Sequence, residues 1–389
     1  MAEQTSPVWA FHNPVALRFG VGCARGQAAA LPPGPRLLVT TRGMVKRGMV
    51  QRLLADLGNA EGWEILDAVT TNPEVSALES HRAALKAKKF AALVSFGGGS
   101  AVDTAKVLSI LLGAPDDFDL RAHLEGKVPM PDVPPVPHYA IPTTSGTGAE
   151  VTPFATVWAT AEGKKFSFAS PRLFPKAAWL DPDYTTEVDR SVTVSTGLDA
   201  FSQALESAWN RNANPYTLMI ATRSAALSYR ALQSIPAWPI SLQTRAELME
   251  ASLLAGLAIS HTRTALAHSM SYPITAHYGV PHGLACGYTL SELYRYNLAV
   301  DDGRFEPLAR AVAGCGREQF ADAIDALLVK IGVPELMASY MPDLAVAAKH
   351  APEMFTKGRA DNNLRAADVP EIAQLLKDVA ARFAQFPRS

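Results

Sequence analysis

Residues 36–40 (RLLVT), 91–96 (AALVSF) and 139–142 (YAIP) are apolar runs, each closed by turn-forming residues. Such runs predict strands buried on both faces of a parallel sheet. Between them, residues 48–58 and 76–88 repeat apolar side chains at helical spacing, so strands alternate with helices as in an α/β domain. The shorter segments 156–158 and 178–180 predict a hairpin or an added sheet edge. Proline lacks the amide a ladder needs, so the proline-rich stretch 128–137 (VPMPDVPPVP) reads as a surface loop before a strand. After Asp181-Pro182 alanine and leucine dominate, and 194–209 and 215–234 keep helical periodicity throughout. A boundary near residue 185 follows, with an α/β domain over 1–185 and a helical domain over 186–389. Residues 251–271 predict one helix stopped near Pro273, and 279–283 a turn that opens another.

Composition narrows the function classes. Of the 389 residues 48% are apolar and 19% charged, with 36 Lys+Arg against 37 Asp+Glu. That balance excludes a disordered chain and an acidic tail, and gives no basic surface for nucleic acid. The longest nearly uncharged apolar stretch, 251–260, is too short for a bilayer, and residues 1–11 show no leader pattern. The protein is therefore expected to be soluble and cytoplasmic, with neither membrane nor nucleic acid as partner. Cys23, Cys286 and Cys315 are too few and scattered for a disulfide framework or a cysteine metal knot. Any metal is expected on His, carboxylate or amide groups.

The chemistry begins at Gly97-Gly98-Gly99-Ser100, which joins a predicted strand to a helical pattern over 101–112. Glycines let the backbone approach a ligand closely, and the free amides and positive dipole end of a helix start attract phosphate. Asp103 and Lys106 share one face of that helix, where one could meet a ribose or nicotinamide and the other a charge partner. A second cluster, 141–150 (IPTTSGTGAE), follows another strand end with four hydroxyls and two further glycines. Two such turns at strand C-termini favour a nucleotide site.

Four histidines, His261, His268, His277 and His282, fall within 22 residues. His268, on an apolar helix, and His282, on a turn, can converge on one ion. Asp199 and Gln203 stand at i, i+4, so both project from one helix face as an oxygen-rich half-site.

Taken in order, these segments resemble the iron-containing (group III) alcohol dehydrogenases. The motifs span nearly the whole chain: FGVG at 19–22, Asn72-Pro73, GGGSAVDTAK at 97–106, PTTSGTGAEVT at 142–152, LDP at 180–182, TGLDA at 196–200, Ala267-His268, PHG at 281–283 and NNLR at 362–365. The resemblance implies a dehydroquinate synthase-like fold, with an α/β N-terminal dinucleotide-binding domain, an all-α C-terminal domain and assembly as a homodimer. It implies NADPH or NADH, its pyrophosphate on Gly98, Gly99 and Ser100, with Asn72, Asp103, Thr143, Thr144, Thr147 and Lys165 around it. It also implies a divalent metal, Fe²⁺ ahead of Mn²⁺ or Zn²⁺, on Asp199, Gln203, His268 and His282. Relatives usually carry histidine where this chain has Gln203 and Tyr272. An amide oxygen donates more weakly than imidazole, so a looser site preferring Fe²⁺ or Mn²⁺ is expected. NAD-selective relatives place an aspartate at the position of Thr41, so Thr41 and Arg42, which follow the strand 36–40, are expected at the cofactor ribose, where Arg42 could pair with a 2′-phosphate.

A narrower resemblance lies in 259–275 (ISHTRTALAHSMSYPIT) and 277–283 (HYGVPHG), which are similar to the phosphonoacetaldehyde reductase branch of that family. It implies a small phosphonate or aldehyde substrate bound by Arg263 and Thr264 with Arg359, and reduction of phosphonoacetaldehyde to 2-hydroxyethylphosphonate. Arg263, five residues before His268, reaches the metal region only if the helix is distorted or the substrate extends along it. Tyr272 and His277 are both candidates to deliver the proton. Three other readings stand beside this one: another short alcohol, diol or hydroxy acid; a sugar-phosphate cyclase-like lyase; and a noncatalytic nucleotide-binding relative that lost its metal through Gln203.

Overall fold

Among the described residues, the first half of the chain holds eight strands and five α-helices. The strands are β1 (Ala16–Phe19), β2 (Arg36–Val39), β3 (Trp63–Leu66), β4 (Ala92–Gly97), β5 (His138–Pro142), β6 (Phe154–Ala159), β7 (Lys164–Ala169) and β8 (Ala177–Leu180). The helices among them are α1 (Arg42–Lys46), α2 (Met49–Leu57), α3 (Val75–Leu85), α4 (Gly99–Leu111) and α5 (Leu120–Leu124). The computed structural model describes residues 8–58 and 61–386, so most of the N-terminal stretch read above against a leader lies outside the described residues.

Six strands form one parallel sheet in the order β1–β8–β5–β4–β2–β3, while β6 and β7 pair antiparallel beside it. Every residue of β4 is buried, as an uninterrupted apolar run requires. The chain passes from β2 outward to β3, but from β4 to β5 on the other side, so β2 and β4 flank the point where the winding reverses. Open α/β sheets bind ligands at that point, beyond the strand C-termini. Thr40 Oγ1 donates to Phe96 O at 2.7 Å and ties the two strand ends together there.

After Leu180 the chain is helical: α6 (Arg190–Ala208), α7 (Pro215–Leu232), α8 (Leu242–Thr262), α9 (Leu266–Tyr278), α10 (His282–Gly287), α11 (Leu290–Leu298), α12 (Phe305–Ala313), α13 (Phe320–Lys330), α14 (Val333–Tyr340) and α15 (Val369–Phe383). Their apolar faces meet in one core in which Leu198, Phe201 and Leu205 of α6 pack with Met270 and Ile274 of α9. Local signals set the ends. Asn214 closes a capping box with Thr217 ahead of Pro215 in α7, and Asp189 accepts from the Val192 amide at the start of α6. Among the described residues no helix is long and apolar enough to cross a membrane.

Two expectations need correction, and a third holds. Residues 178–180 belong to β8 inside the main sheet, and the outer edge is β1, whose four residues are all exposed. The segment 156–158 does form a hairpin strand, in β6. The single helix over 251–271 is two helices: α8 stops at Thr262, and Pro273 lies within α9 without ending it. Arg263 at the break has φ 63° and ψ 176°, a conformation open almost only to glycine. Side-chain amides hold the carbonyls freed there: Asn212 donates to Thr262 O, Asn210 to Arg263 O and Asn362 to Thr264 O. These partners come from two distant segments, so local periodicity could not reveal the break.

Candidate active site

A cleft of about 1440 Å³ opens at the C-terminal ends of β2 and β4, between the sheet and the helices. Sites for one drug-sized ligand are roughly 300–1,000 Å³, so this one has room for a dinucleotide and a second ligand. Gly98, Gly99, Ser100 and Asp103 line it from α4, and Thr144 and Thr147 from the loop after β5. The two loops interlock: a Cβ on Gly98 would lie 3.1 Å from Thr144 Oγ1, and one on Gly99 would lie 2.7 Å from Thr147 Cγ2. No side chain caps the start of α4, which leaves its first turn free for an anion. Asn72, at φ 61°, donates its amide to Ser100 Oγ at 3.3 Å.

Asp103 and Lys106 play different parts. Asp103 Oδ2 accepts from the Thr156 amide at 2.8 Å and thereby holds β6 against α4. Lys106 is fully buried and donates to Thr152 Oγ1 and Phe154 O. Burial pushes its ammonium down to about 8, against the pull of Asp103 and Glu150. Thr41 caps α1 and lines the cleft, whereas Thr143 is buried and Arg42 is exposed, and neither lines it. Lys165, on β7, reaches across with its Nζ 3.8 Å from the centroid of the Tyr272 ring.

The helical wall brings the predicted ligand residues together. Donor atoms of Asp199, His268, His282 and Cys286 all lie within 4.8 Å of one another. His268 Nε2 is 3.3 Å from Asp199 Oδ1, and Gln203 Nε2 donates to the same oxygen at 3.1 Å. Burial favours the neutral form of Asp199, but His268, His282 and Gln203 hold its carboxyl below the usual range. Gln203 Oε1 is buried and has no hydrogen-bond partner, a state that costs about 1–3 kcal/mol unless something accepts its lone pairs. A buried carboxylate, two imidazoles and an orphaned carbonyl oxygen fit a divalent cation.

Two neighbours of this cluster were not foreseen. Glu206, fully buried one turn beyond Gln203 on α6, accepts from both the amide and Nδ1 of His268. A carboxylate behind an imidazole fixes its tautomer and leaves Nε2 free for a metal. Its signal was present in the sequence, at i+7 from Asp199 on the same helix face. Cys286 stands four residues after His282 on α10, where burial raises its thiol but His268 and His282 bring it to about 7. The reading that restricted metal donors to His, carboxylate and amide groups thus left out a thiol that the fold delivers to the cluster.

α10 is seated on α6 by Gly283, where a Cβ would lie 1.9 Å from Ser195 O. Only glycine allows that approach, and it presents His282 to Asp199. Gly283→Ala is expected to lower stability by about 1–3 kcal/mol and to reduce metal content. Thermal melting together with metal analysis checks both, and native values for both would reject the account.

At the open end, Arg263, Thr264 and Arg359 line the cleft beside His268 and Tyr272. Arg263 lies over Phe154, its Cζ 4.5 Å from the ring centroid. Burial and then repulsion from Arg359 both lower its pKa, which places the two guanidinium groups within each other's field. Among the described residues neither has a carboxylate partner. Tyr272 stacks on His282 at 5.9 Å, whereas His277 Nε2 is engaged by Glu353 at 2.8 Å and its ring stacks on His350 at 4.1 Å.

Comparisons with known proteins agree with this geometry. A family model described as iron-containing alcohol dehydrogenase matches residues 14–182, and its C-terminal counterpart matches 193–380. A phosphonoacetaldehyde reductase of Streptomyces viridochromogenes is 37% identical over 240 residues, 61% of this chain and 60% of that relative's length. A 1,3-propanediol dehydrogenase of Klebsiella pneumoniae is 31% identical over 88% of this chain and 90% of its own. The structure of a sulfoacetaldehyde reductase from Bifidobacterium kashiwanohense, in complex with NAD⁺, superposes with a TM-score of 0.86 at 29% identity, covering 97% of this chain and all of that one.

Proposed function

Because the chain belongs to the iron-containing alcohol dehydrogenase family and is an NAD(P)-dependent oxidoreductase, we propose that it reduces phosphonoacetaldehyde to 2-hydroxyethylphosphonate. The observation that carries this reading is the pair Arg263 and Arg359, two cleft-lining guanidinium groups with no carboxylate partner among the described residues. Sequestering a phosphonate dianion requires cations to offset its desolvation, and the planar fork of arginine matches its oxygens. An apolar lining would suit an uncharged alcohol instead. Two similar proteins are named for two-carbon aldehydes that carry a tetrahedral oxyanion group. A sulfonate aldehyde is the second reading, since it needs the same cations but bears one charge fewer. Family membership argues against the cyclase-like lyase, and the names of the similar reductase and dehydrogenase argue against a noncatalytic relative. An uncharged short alcohol or diol, as the propanediol relative's name describes, remains the alternative.

The chain's own residues divide the work. Gly98, Gly99 and Ser100 cradle the cofactor's pyrophosphate, with Thr144 and Thr147 packed behind them and Asn72 and Lys165 at the sides. Asp199, Gln203, His268 and His282 would hold the divalent ion, with His268 oriented by Glu206. When bound, NAD(P)H supplies the hydride and the ion the Lewis acidity that polarises the carbonyl. Arg263, Thr264 and Arg359 orient the aldehyde by its phosphonate. Tyr272 Oη delivers the proton to the developing alkoxide, a role better suited to a side chain stacked on His282 than to His277, which Glu353 engages. The division at residue 185 puts cofactor residues on one side and ligand residues on the other. Homodimer assembly belongs to the same reading, supported by the unpaired edge of β1 with Leu17 and Phe19 exposed.

The test is the kcat/KM of the wild-type enzyme for phosphonoacetaldehyde, sulfoacetaldehyde and propanal. A preference for propanal overturns the proposal, and a preference for the sulfonate replaces it with the second reading. Cofactor choice gives a further expectation. No acidic side chain stands at Thr41 or Arg42, so nothing there repels a ribose 2′-phosphate, and NADPH is expected to serve at least as well as NADH. A preference for NADH of more than about tenfold, roughly 1.4 kcal/mol, would reject it.

A further inference from the structure

We propose that Cys286 is a metal donor, so that a thiolate does in this chain what an imidazole at 203 does in its relatives, and that the site selects Zn²⁺ or Co²⁺ over Fe²⁺. This rests on the reading that Asp199, His268 and His282 hold a divalent ion. Tetrahedral sites have metal–nitrogen and metal–oxygen bonds of about 2.0–2.1 Å and metal–sulfur bonds of about 2.3 Å. Those lengths make the edges of the tetrahedron roughly 3.3 Å between nitrogen and oxygen and roughly 3.6 Å between nitrogen and sulfur. The corresponding distances here are 3.3 Å for His268 Nε2 to Asp199 Oδ1 and 3.9 Å for Cys286 Sγ to either ring nitrogen of His282. A small side-chain adjustment closes the difference.

The surroundings of the sulfur support the same assignment. Cys286 is fully buried, and its thiol meets the ring nitrogens of His282 rather than a backbone carbonyl, unlike Cys23, whose thiol donates to Arg18 O. It does not line the cleft, so it would hold the ion from the side away from the substrate, and the substrate oxygen would enter from the cleft as a fifth ligand, an expansion that zinc sites allow. Gln203 points to the ion independently: its side chain is 4% exposed, its amide nitrogen is spent on Asp199, and Oε1 is left without a partner. A neutral amide oxygen is too weak a donor to replace imidazole alone. On binding, the thiol proton leaves to solvent as the sulfur–metal bond forms. Thiolate ligation favours zinc and cobalt, which reverses the harder-ion preference inferred from Gln203 alone.

The experiment loads metal-free protein with Co²⁺ and Zn²⁺. Cobalt protein is expected to show a thiolate-to-cobalt charge-transfer band in the near ultraviolet, absent in Cys286→Ser, whose Zn²⁺ affinity falls at least about tenfold. X-ray absorption on the zinc-loaded wild type, which needs no variant, is expected to show one sulfur neighbour at about 2.3 Å. Cobalt uptake with only nitrogen and oxygen neighbours overturns the thiolate while leaving the metal site standing. No uptake of either metal overturns both.

Discussion

His282→Ala is expected to lose bound metal and to lower kcat by at least about 10³-fold, roughly 4 kcal/mol, because Lewis-acid polarisation of the carbonyl supplies several kcal/mol. The histidine is placed by Gly283 against α6 and faces Asp199 and His268, so truncation opens one side of a buried cluster. The proposed cofactor half stands on α4 and the loop after β5, and NADPH affinity is expected to change less than about threefold, roughly 0.7 kcal/mol. That split between lost turnover and retained cofactor binding separates metal loss from unfolding. Metal analysis, dinucleotide titration and steady-state rates measure the three quantities. Full activity in thoroughly metal-free protein would sink the idea.

The parts of this site that the sequence discloses are those built from local spacing. Asp199 and Gln203 share a face because i, i+4 residues on any helix do, and the structure keeps them 3.1 Å apart. The glycine loop is legible because the run into Gly97 reads as a buried strand and the run after it as a helix. Glu206 lay on the same face as Asp199, yet nothing local distinguishes a carboxylate buried behind an imidazole from one in solvent. A count of cysteines along the whole chain gives Cys286 no meaning, which comes instead from its place one helical turn after His282. β1 and β3 escaped because four-residue strands with exposed or half-buried side chains carry no apolar run. The break at Arg263 escaped for another reason. Its backbone is held by Asn210, Asn212 and Asn362, and only folding brings those amides to it.

That break is what brings Arg263 into the cleft. On a continuous helix a residue five positions before His268 faces away from it; at φ 63° the chain turns and the side chain lines the cleft. Arg263→Ala is expected to raise KM for phosphonoacetaldehyde about 10- to 100-fold, since a hydrogen bond to a charged group contributes about 1.5–3 kcal/mol. KM for propanal is expected to stay within about threefold, because propanal never meets the guanidinium. Alanine has the same Cβ as arginine and strains the backbone equally, so the comparison isolates the charge and its donors. Arg263→Lys restores the charge but not the fork, and is expected to recover only part of the loss. The contact of Arg263 with Phe154 gives the variant a route to disturb β6, and so the Asp103 anchor, without any phosphonate being involved. Such a disturbance acts on both aldehydes alike. Equal effects on phosphonoacetaldehyde and propanal would therefore assign Arg263 to the architecture of the hairpin and remove the residue on which the substrate proposal depends.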